Sequence, residues 1–116
     1  MKKLLVFFLT FFFSNLTFAA DEKPGRFFED QPDVTDEHQI HFIYLLPSDG
    51  EDRELDINGS MEGILEKVNN TMFEATKANK GSGGVGKKYR YDYRKDGKLD
   101  ITFIRTSKNW KELQDK

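Results

Sequence analysis

Residues 88–106 read KYRYDYRKDGKLDITFIRT, two alternating runs of apolar and polar residues around an Asp-Gly pair at 96–97. This pattern is typical of a β-hairpin. A two-residue turn would pair Arg94 with Leu99 and mix charged side chains with apolar ones. A three-residue loop, with its glycine in the left-handed conformation, instead pairs Tyr93 with Leu99 and collects the apolar side chains on one face. We therefore predict the second register.

This register has a consequence for the polar face of the hairpin. It places Asp92 directly across from Asp100, with Arg90 and Arg94 beside them. Like charges that face each other destabilise a sheet unless neighbouring charges neutralise them. The four residues are therefore predicted to form either an exposed charge ladder or a small site for an ion or a partner protein.

Two further elements precede the hairpin. The apolar run at residues 39–46 ends at the turn-forming sequence Pro-Ser-Asp-Gly at 47–50, which predicts a strand that is apolar on both faces. Residues 61–78 carry apolar side chains at helical spacing after Ser60, a residue type favoured at the N-cap, and predict one amphipathic helix. A glycine-rich connection at 81–86 joins this helix to the hairpin.

The predicted fold class is α+β, in the order β-α-β-β. One helix packs on a small three-stranded mixed sheet that ends in a C-terminal β-hairpin, with a right-handed crossover from the first strand. Because a single helix covers only one face of the sheet, the second face needs another cover. The candidates are Phe27 and Phe28, Trp110 and Leu113, a protein partner, or a second copy of the chain in a homo-oligomer.

The ends of the chain differ from this central domain. Residues 1–19 combine a Lys-Lys start, a short apolar run and small residues before Ala20, which is the pattern of a cleaved signal peptide. We therefore expect a bacterial protein that is secreted or periplasmic and has no membrane segment after cleavage. Residues 20–37 are acidic and predicted to be a flexible leader. Residues 38–106 form the predicted α+β domain, and 107–116 a short C-terminal helix or tail.

Composition excludes several functions. Beyond residue 19 the chain carries 16 Lys and Arg against 20 Asp and Glu, unlike the basic surface of a nucleic-acid-binding protein. The chain has no cysteine, which excludes disulfides, thiol nucleophiles and zinc–thiolate sites. The sequence GSGGVGK at 81–87 is similar to nucleotide-binding loops, but those loops follow a strand and precede a helix, and here the order is reversed. We therefore predict no nucleotide binding.

Candidate metal-binding residues occur in two places. His38 and His41 are three residues apart on the predicted strand, so they point to opposite faces and do not form a metal-binding pair. The acidic loop at 49–59 is similar to half of a calcium-binding loop, and hard cations bind clustered carboxylates. The candidate calcium ligands are Asp49, Glu51, Asp52 and Asp56. No other cofactor is expected.

Two short motifs lie within residues 41–105. One is Tyr-x-x-Pro-Ser-Asp-Gly at 44–50, and the other is Arg-x-Asp…Asp-x-x-Phe, formed by Arg90, Asp92, Asp100 and Phe103. In these motifs the chain resembles a group of exported bacterial domains, which are themselves similar to the N-terminal subdomain of zincin-like exported proteins. The resemblance implies a shared N-terminal subdomain. It does not imply peptidase activity, because the sequence has no H-E-x-x-H motif.

Together these features favour an exported, non-catalytic domain that acts through binding or assembly. The second face of the sheet and the charged hairpin cluster are its expected contacts. The alternative is that the chain is the truncated N-terminal portion of a secreted metallopeptidase-like hydrolase.

Overall fold

The computed structural model describes residues 20–115. The elements are β1 (Phe42–Leu46), α1 (Ser60–Ala78), a 3-10 turn (Lys80–Ser82), β2 (Ile101–Arg105) and α2 (Trp110–Gln114). The signal-peptide prediction concerns residues 1–19, which lie outside this range. Within the described part, every helix is too short or too polar to cross a membrane.

The sheet consists of β1 and β2, which run parallel with Phe42 opposite Ile101 and Leu46 opposite Arg105. Parallel neighbours need a crossover connection, and α1 lies in the one between these strands. The fold is therefore α+β, with one main helix and a small sheet, as predicted. The predicted third strand is wrong for residues 20–115, where the sheet has two strands. The predicted β-hairpin is not confirmed there, although its predicted pair, Tyr93 with Leu99, forms an isolated bridge and Gly97 is left-handed with φ 86°.

The reason lies in the backbone hydrogen bonds of the segment before β2. Ile40 N–H donates to Arg90 O at 2.8 Å, and Asp92 N–H donates to Ile40 O at 2.9 Å. Asp100 N–H donates to Asp92 O at 2.9 Å, and Tyr93 forms a single antiparallel bridge with Leu99. The segment thus divides its hydrogen bonds between the chain before β1 and the chain before β2. It forms isolated bridges instead of a continuous strand.

The hydrophobic core lies on one face of the sheet, which we call the inner face. Its buried residues are Tyr44, Leu46, Tyr91, Leu99, Ile101 and Phe103. Met61 and Leu65 of α1 pack against them, so α1 covers this face. Tyr44 and Phe103 meet edge to face with ring centroids 5.7 Å apart, a favoured geometry for aromatic pairs.

The helix α1 differs from its prediction at two points. Gly59 occupies the N-cap position with φ 85°, a conformation that glycine adopts without strain, and Ser60 is the first helical residue. The predicted apolar stripe is also divided, because Ile64 and Val68 are exposed. The buried residue of α1 is Asn69, whose side-chain amide hydrogen bonds to the backbone of the chain before β2.

Part of the predicted leader lies along the free side of β2. Phe27 forms a parallel bridge with Thr102, and Phe103 N–H donates to Phe27 O at 2.9 Å. Arg26 beside it is buried. These contacts bring the acidic residues that follow Phe28 next to the sheet.

Candidate functional site

The candidate site is the face of the sheet opposite α1, which we call the outer face. Side chains alternate along a strand, so His41, Ile43 and Leu45 point away from the core. The register places Ile43 opposite Thr102 and Leu45 opposite Ile104. The outer face therefore has a polar end at His41 and an apolar end at Leu45.

Three chain segments meet at the polar end. A parallel bridge joins Ile40 to Tyr91, so the next residues along the two segments, His41 and Asp92, become neighbours. Asp100 directly precedes β2 and hydrogen bonds to the backbone of Asp92. The contacts among these three segments thus direct one imidazole and two carboxylates to the same point.

Short distances define this cluster. The His41 Nδ1 atom lies 2.8 Å from Asp92 Oδ2, and its Nε2 atom lies 2.7 Å from Thr102 Oγ1. The Asp100 Oδ2 atom lies 3.9 Å from His41 Nδ1. The leader contributes Asp30, whose Oδ1 atom lies 3.6 Å from the same nitrogen.

The two central carboxylates are removed from solvent. Asp92 is 2% exposed and Asp100 is 0% exposed. The Oδ2 atom of Asp100 accepts a hydrogen bond from Gln31 N–H at 2.9 Å. The Oδ1 atoms of Asp92 and Asp100 have no hydrogen-bond partner among residues 20–115. Burial raises the pKa of Asp100, and the nearby carboxyl groups of Asp30 and Asp92 raise it further.

The structure brings together only part of the predicted hairpin cluster. Asp92 and Asp100 are adjacent, but Arg90 pairs with Glu37, with 3.3 Å between Nε and the carboxylate. Arg94 pairs with Asp96, and its guanidinium stacks on the ring of Phe27 in the leader. The two arginines therefore bind other groups, and His41 and Asp30 lie beside the aspartates instead.

His41 is the residue that sequence reasoning missed. The sequence pattern predicts only that His41 and His38 lie on opposite sides of the strand, and it assigns His41 to no site. Its real partner, Asp92, is 51 residues away, and the contact depends on the parallel bridge between Ile40 and Tyr91. The alternation that placed His41 away from Phe42 was the available signal. Asp30 had no comparable signal in the leader.

The predicted calcium ligands have other partners. Arg26 binds Asp52 and Asp56 together, with closest nitrogen–oxygen distances of 2.7 Å and 2.9 Å. Asp49 accepts a hydrogen bond from the backbone N–H of Trp110, and Glu51 is exposed. The Arg26 hydrogen bond lowers the pKa of Asp52 to about 2. Two of the four carboxylates are thus neutralised by a guanidinium.

The polar end has the order of groups found in a nucleophile–base–acid triad. Thr102 Oγ1, His41 and Asp92 are linked by contacts of 2.7 Å and 2.8 Å. Thr102 is only 7% exposed and lies within β2, so little of this residue is open to an incoming substrate. Contacts at both ring nitrogens therefore fix the orientation of the His41 imidazole.

The apolar end of the outer face is open. Ile43 is 51% exposed and Leu45 is 52% exposed, and Ile104 beside them is also exposed. Trp110 and Leu113, two of the residues predicted to cover this face, are themselves exposed. Within the described residues, the outer aliphatic side chains of β1 remain largely in solvent.

Among residues 20–115, the backbone of β1 also has a free edge, because β2 is its only strand partner there. Leu46 O accepts a hydrogen bond from Thr106 N–H, so the even-numbered residues of β1 direct their backbone groups toward β2. In a parallel pair, alternate residues point the other way. Ile43 and Leu45 therefore direct N–H and C=O groups away from the two-stranded sheet.

Comparison with protein-family models, with curated proteins and with solved structures finds no match.

Proposed function

We propose that the protein is an exported, non-catalytic binding protein that assembles with a second copy of itself through the free edge of β1. Export is supported by the signal-peptide pattern of residues 1–19. A non-catalytic role is supported by the burial of Thr102, the hydroxyl-bearing residue bonded to His41.

The observation that carries the proposal is the edge of β1 that has no strand partner within the described residues 20–115. Natural edge strands are usually shielded by charged side chains, proline or a bulge, because unpaired backbone groups attract other strands. The sequence of β1, FIYLL, has no charge and no proline. Addition of a strand to such an edge is a common mode of protein recognition.

A second copy fits this edge by symmetry. If two β1 strands pair antiparallel about a two-fold axis at Tyr44, each Ile43 lies opposite the partner's Leu45. Both residues direct their backbone groups outward, so they form the hydrogen-bonded pairs of the new ladder. All facing side chains are uncharged, which avoids the repulsion that a charged strand would suffer on pairing with itself.

Sedimentation velocity over a concentration series tests this proposal. The wild-type chain should change from monomer to dimer as its concentration rises. Leu45→Lys should remain monomeric, because two added charges would lie close together at the pairing edge. Val68→Lys, an exposed apolar position on α1, is the matched control and should dimerise like the wild type.

Two results would contradict the proposal. One is a wild-type chain that stays monomeric at every concentration. The other is a dimer that Leu45→Lys leaves intact, because the contact would then lie elsewhere on the surface.

A further inference from the structure

We infer that Asp30, His41, Asp92 and Asp100 bind one divalent first-row transition metal ion. One ligand atom from each residue can be chosen so that all four lie within 4.8 Å of one another. The four ligands of a tetrahedral zinc ion lie about 2.0–2.2 Å from it, so any two of them are separated by roughly 3.4 Å. A small inward movement of these side chains would complete such a site.

The unpartnered oxygens are an independent indication of a ligand. Asp92 and Asp100 are buried, and each has an Oδ1 atom without a hydrogen-bond donor in residues 20–115. Burial of a carboxylate oxygen without a hydrogen-bond partner costs free energy, because its hydrogen bonds to water are lost and are not replaced by others. A bound cation would supply the missing interaction for both residues.

The local charge points to a cation as well. Three carboxylates surround a single imidazole at this end of the outer face. The arginines closest in sequence, Arg90 and Arg94, pair with Glu37 and Asp96. A dication at the cluster would offset the repulsion between the buried carboxylates of Asp92 and Asp100.

The ligand types indicate the class of metal. One imidazole nitrogen with three carboxylate oxygens suits zinc and similar ions, whereas calcium prefers six to eight oxygen ligands. The contact between His41 Nε2 and Thr102 supports this assignment. When Nε2–H donates to the threonine hydroxyl, the lone pair of Nδ1 faces the carboxylates, as in many metal sites whose histidine is oriented by a second hydrogen bond.

Isothermal titration calorimetry of the tag-free chain with zinc tests the inference, with calcium as the comparison ion. The wild type should bind one zinc ion per chain and should bind calcium much more weakly. His41→Gln should lose zinc binding. His38→Gln is the matched control, since His38 is exposed and outside the cluster, and it should bind zinc normally.

Two further variants keep the test informative if His41→Gln does not fold. Asp92→Asn retains the size of a buried ligand and should abolish binding. Thr102→Val removes only the hydrogen bond to His41 and should weaken zinc binding about 10–100-fold. Circular dichroism of each variant checks that the fold is intact.

Three outcomes would overturn the inference. These are no zinc binding by the wild type, equal zinc binding by the wild type and Asp92→Asn, and tighter binding of calcium than of zinc. The dimer proposal is tested separately. Leu45→Lys lies at the other end of the outer face, so it should bind zinc like the wild type even though it prevents pairing.

Discussion

The guanidinium of Arg26 is fully buried and binds two carboxylates, those of Asp52 and Asp56. Its central carbon also lies 3.9 Å from the ring centroid of Phe103, within the range of a cation–π contact. A planar guanidinium can satisfy two carboxylates and an aromatic face at once, which a lysine cannot do. This residue therefore ties the leader to both the acidic loop and the core.

The pairing of Arg26 makes stability depend on acid pH. The pKa of Asp52 falls from 3.8 to about 2 in the folded chain, so the unfolded chain binds more protons between these values. The stability contributed by ionised Asp52 is complete above about pH 4 and is lost as the pH falls toward 2. Between pH 5 and pH 2 the wild type should lose about 2 kcal/mol more stability than Asp52→Asn.

Urea unfolding at each pH measures this difference. Glu51→Gln changes an exposed carboxylate next to Asp52 in sequence and should follow the wild-type profile. Parallel pH profiles for the wild type and Asp52→Asn would show that the ion pair contributes nothing to acid stability.

The side chain of Asn69 attaches α1 to the chain before β2. Its amide nitrogen donates to Tyr89 O at 2.9 Å, and its amide oxygen accepts from Tyr89 N–H at 2.7 Å. The side chain thus pairs with Tyr89 as a neighbouring strand would. This contact supplies hydrogen bonds to a segment that has no continuous strand partner.

Replacement of this side chain should therefore be costly. Asn69→Ala leaves both backbone groups of Tyr89 without their partner and should reduce stability by about 2 kcal/mol. Asn70→Ala, an exposed neighbour on the same helix, should change stability by less than about 0.5 kcal/mol. Urea unfolding of the two variants provides the comparison, and equal losses would contradict this role for Asn69.

The elements that depend on local patterns were predictable from the sequence. Apolar spacing located α1 within a residue of its bounds, and β1 lies within the predicted strand at 39–46. Residues 88–94 alternate like a strand but form isolated bridges, because their hydrogen bonds are divided between two neighbours. Such competition for backbone groups depends on distant parts of the chain. A local sequence pattern therefore does not reveal this competition.

The same distinction between local patterns and distant contacts applies to the candidate site. The proximity of Asp92 and Asp100 was predictable, since both lie in one short stretch with a clear turn. The presence of His41 and Asp30 in the cluster was not predictable. His41 is placed by the parallel bridge between Ile40 and Tyr91, and Asp30 is placed by the docking of the leader on β2. Long-range contacts therefore complete a cluster that local sequence only begins.

The sequence also indicated that both faces of the first strand need cover. The inner face is covered by α1, and the leader reaches β2 through Phe27. The outer side chains of Ile43 and Leu45 remain exposed among the described residues. The proposed pairing of two copies rests on the backbone edge of the same strand, where Ile43 and Leu45 direct their N–H and C=O groups away from β2.

Residue-specific amide hydrogen exchange by NMR, measured at low and high protein concentration, tests the pairing most directly. The N–H groups of Ile43 and Leu45 should exchange rapidly in dilute solution and slowly in concentrated solution, because only the dimer gives them partners. The N–H of Tyr44 points toward β2 and should be protected at both concentrations. Rapid exchange of Ile43 and Leu45 at every concentration would contradict the proposed pairing.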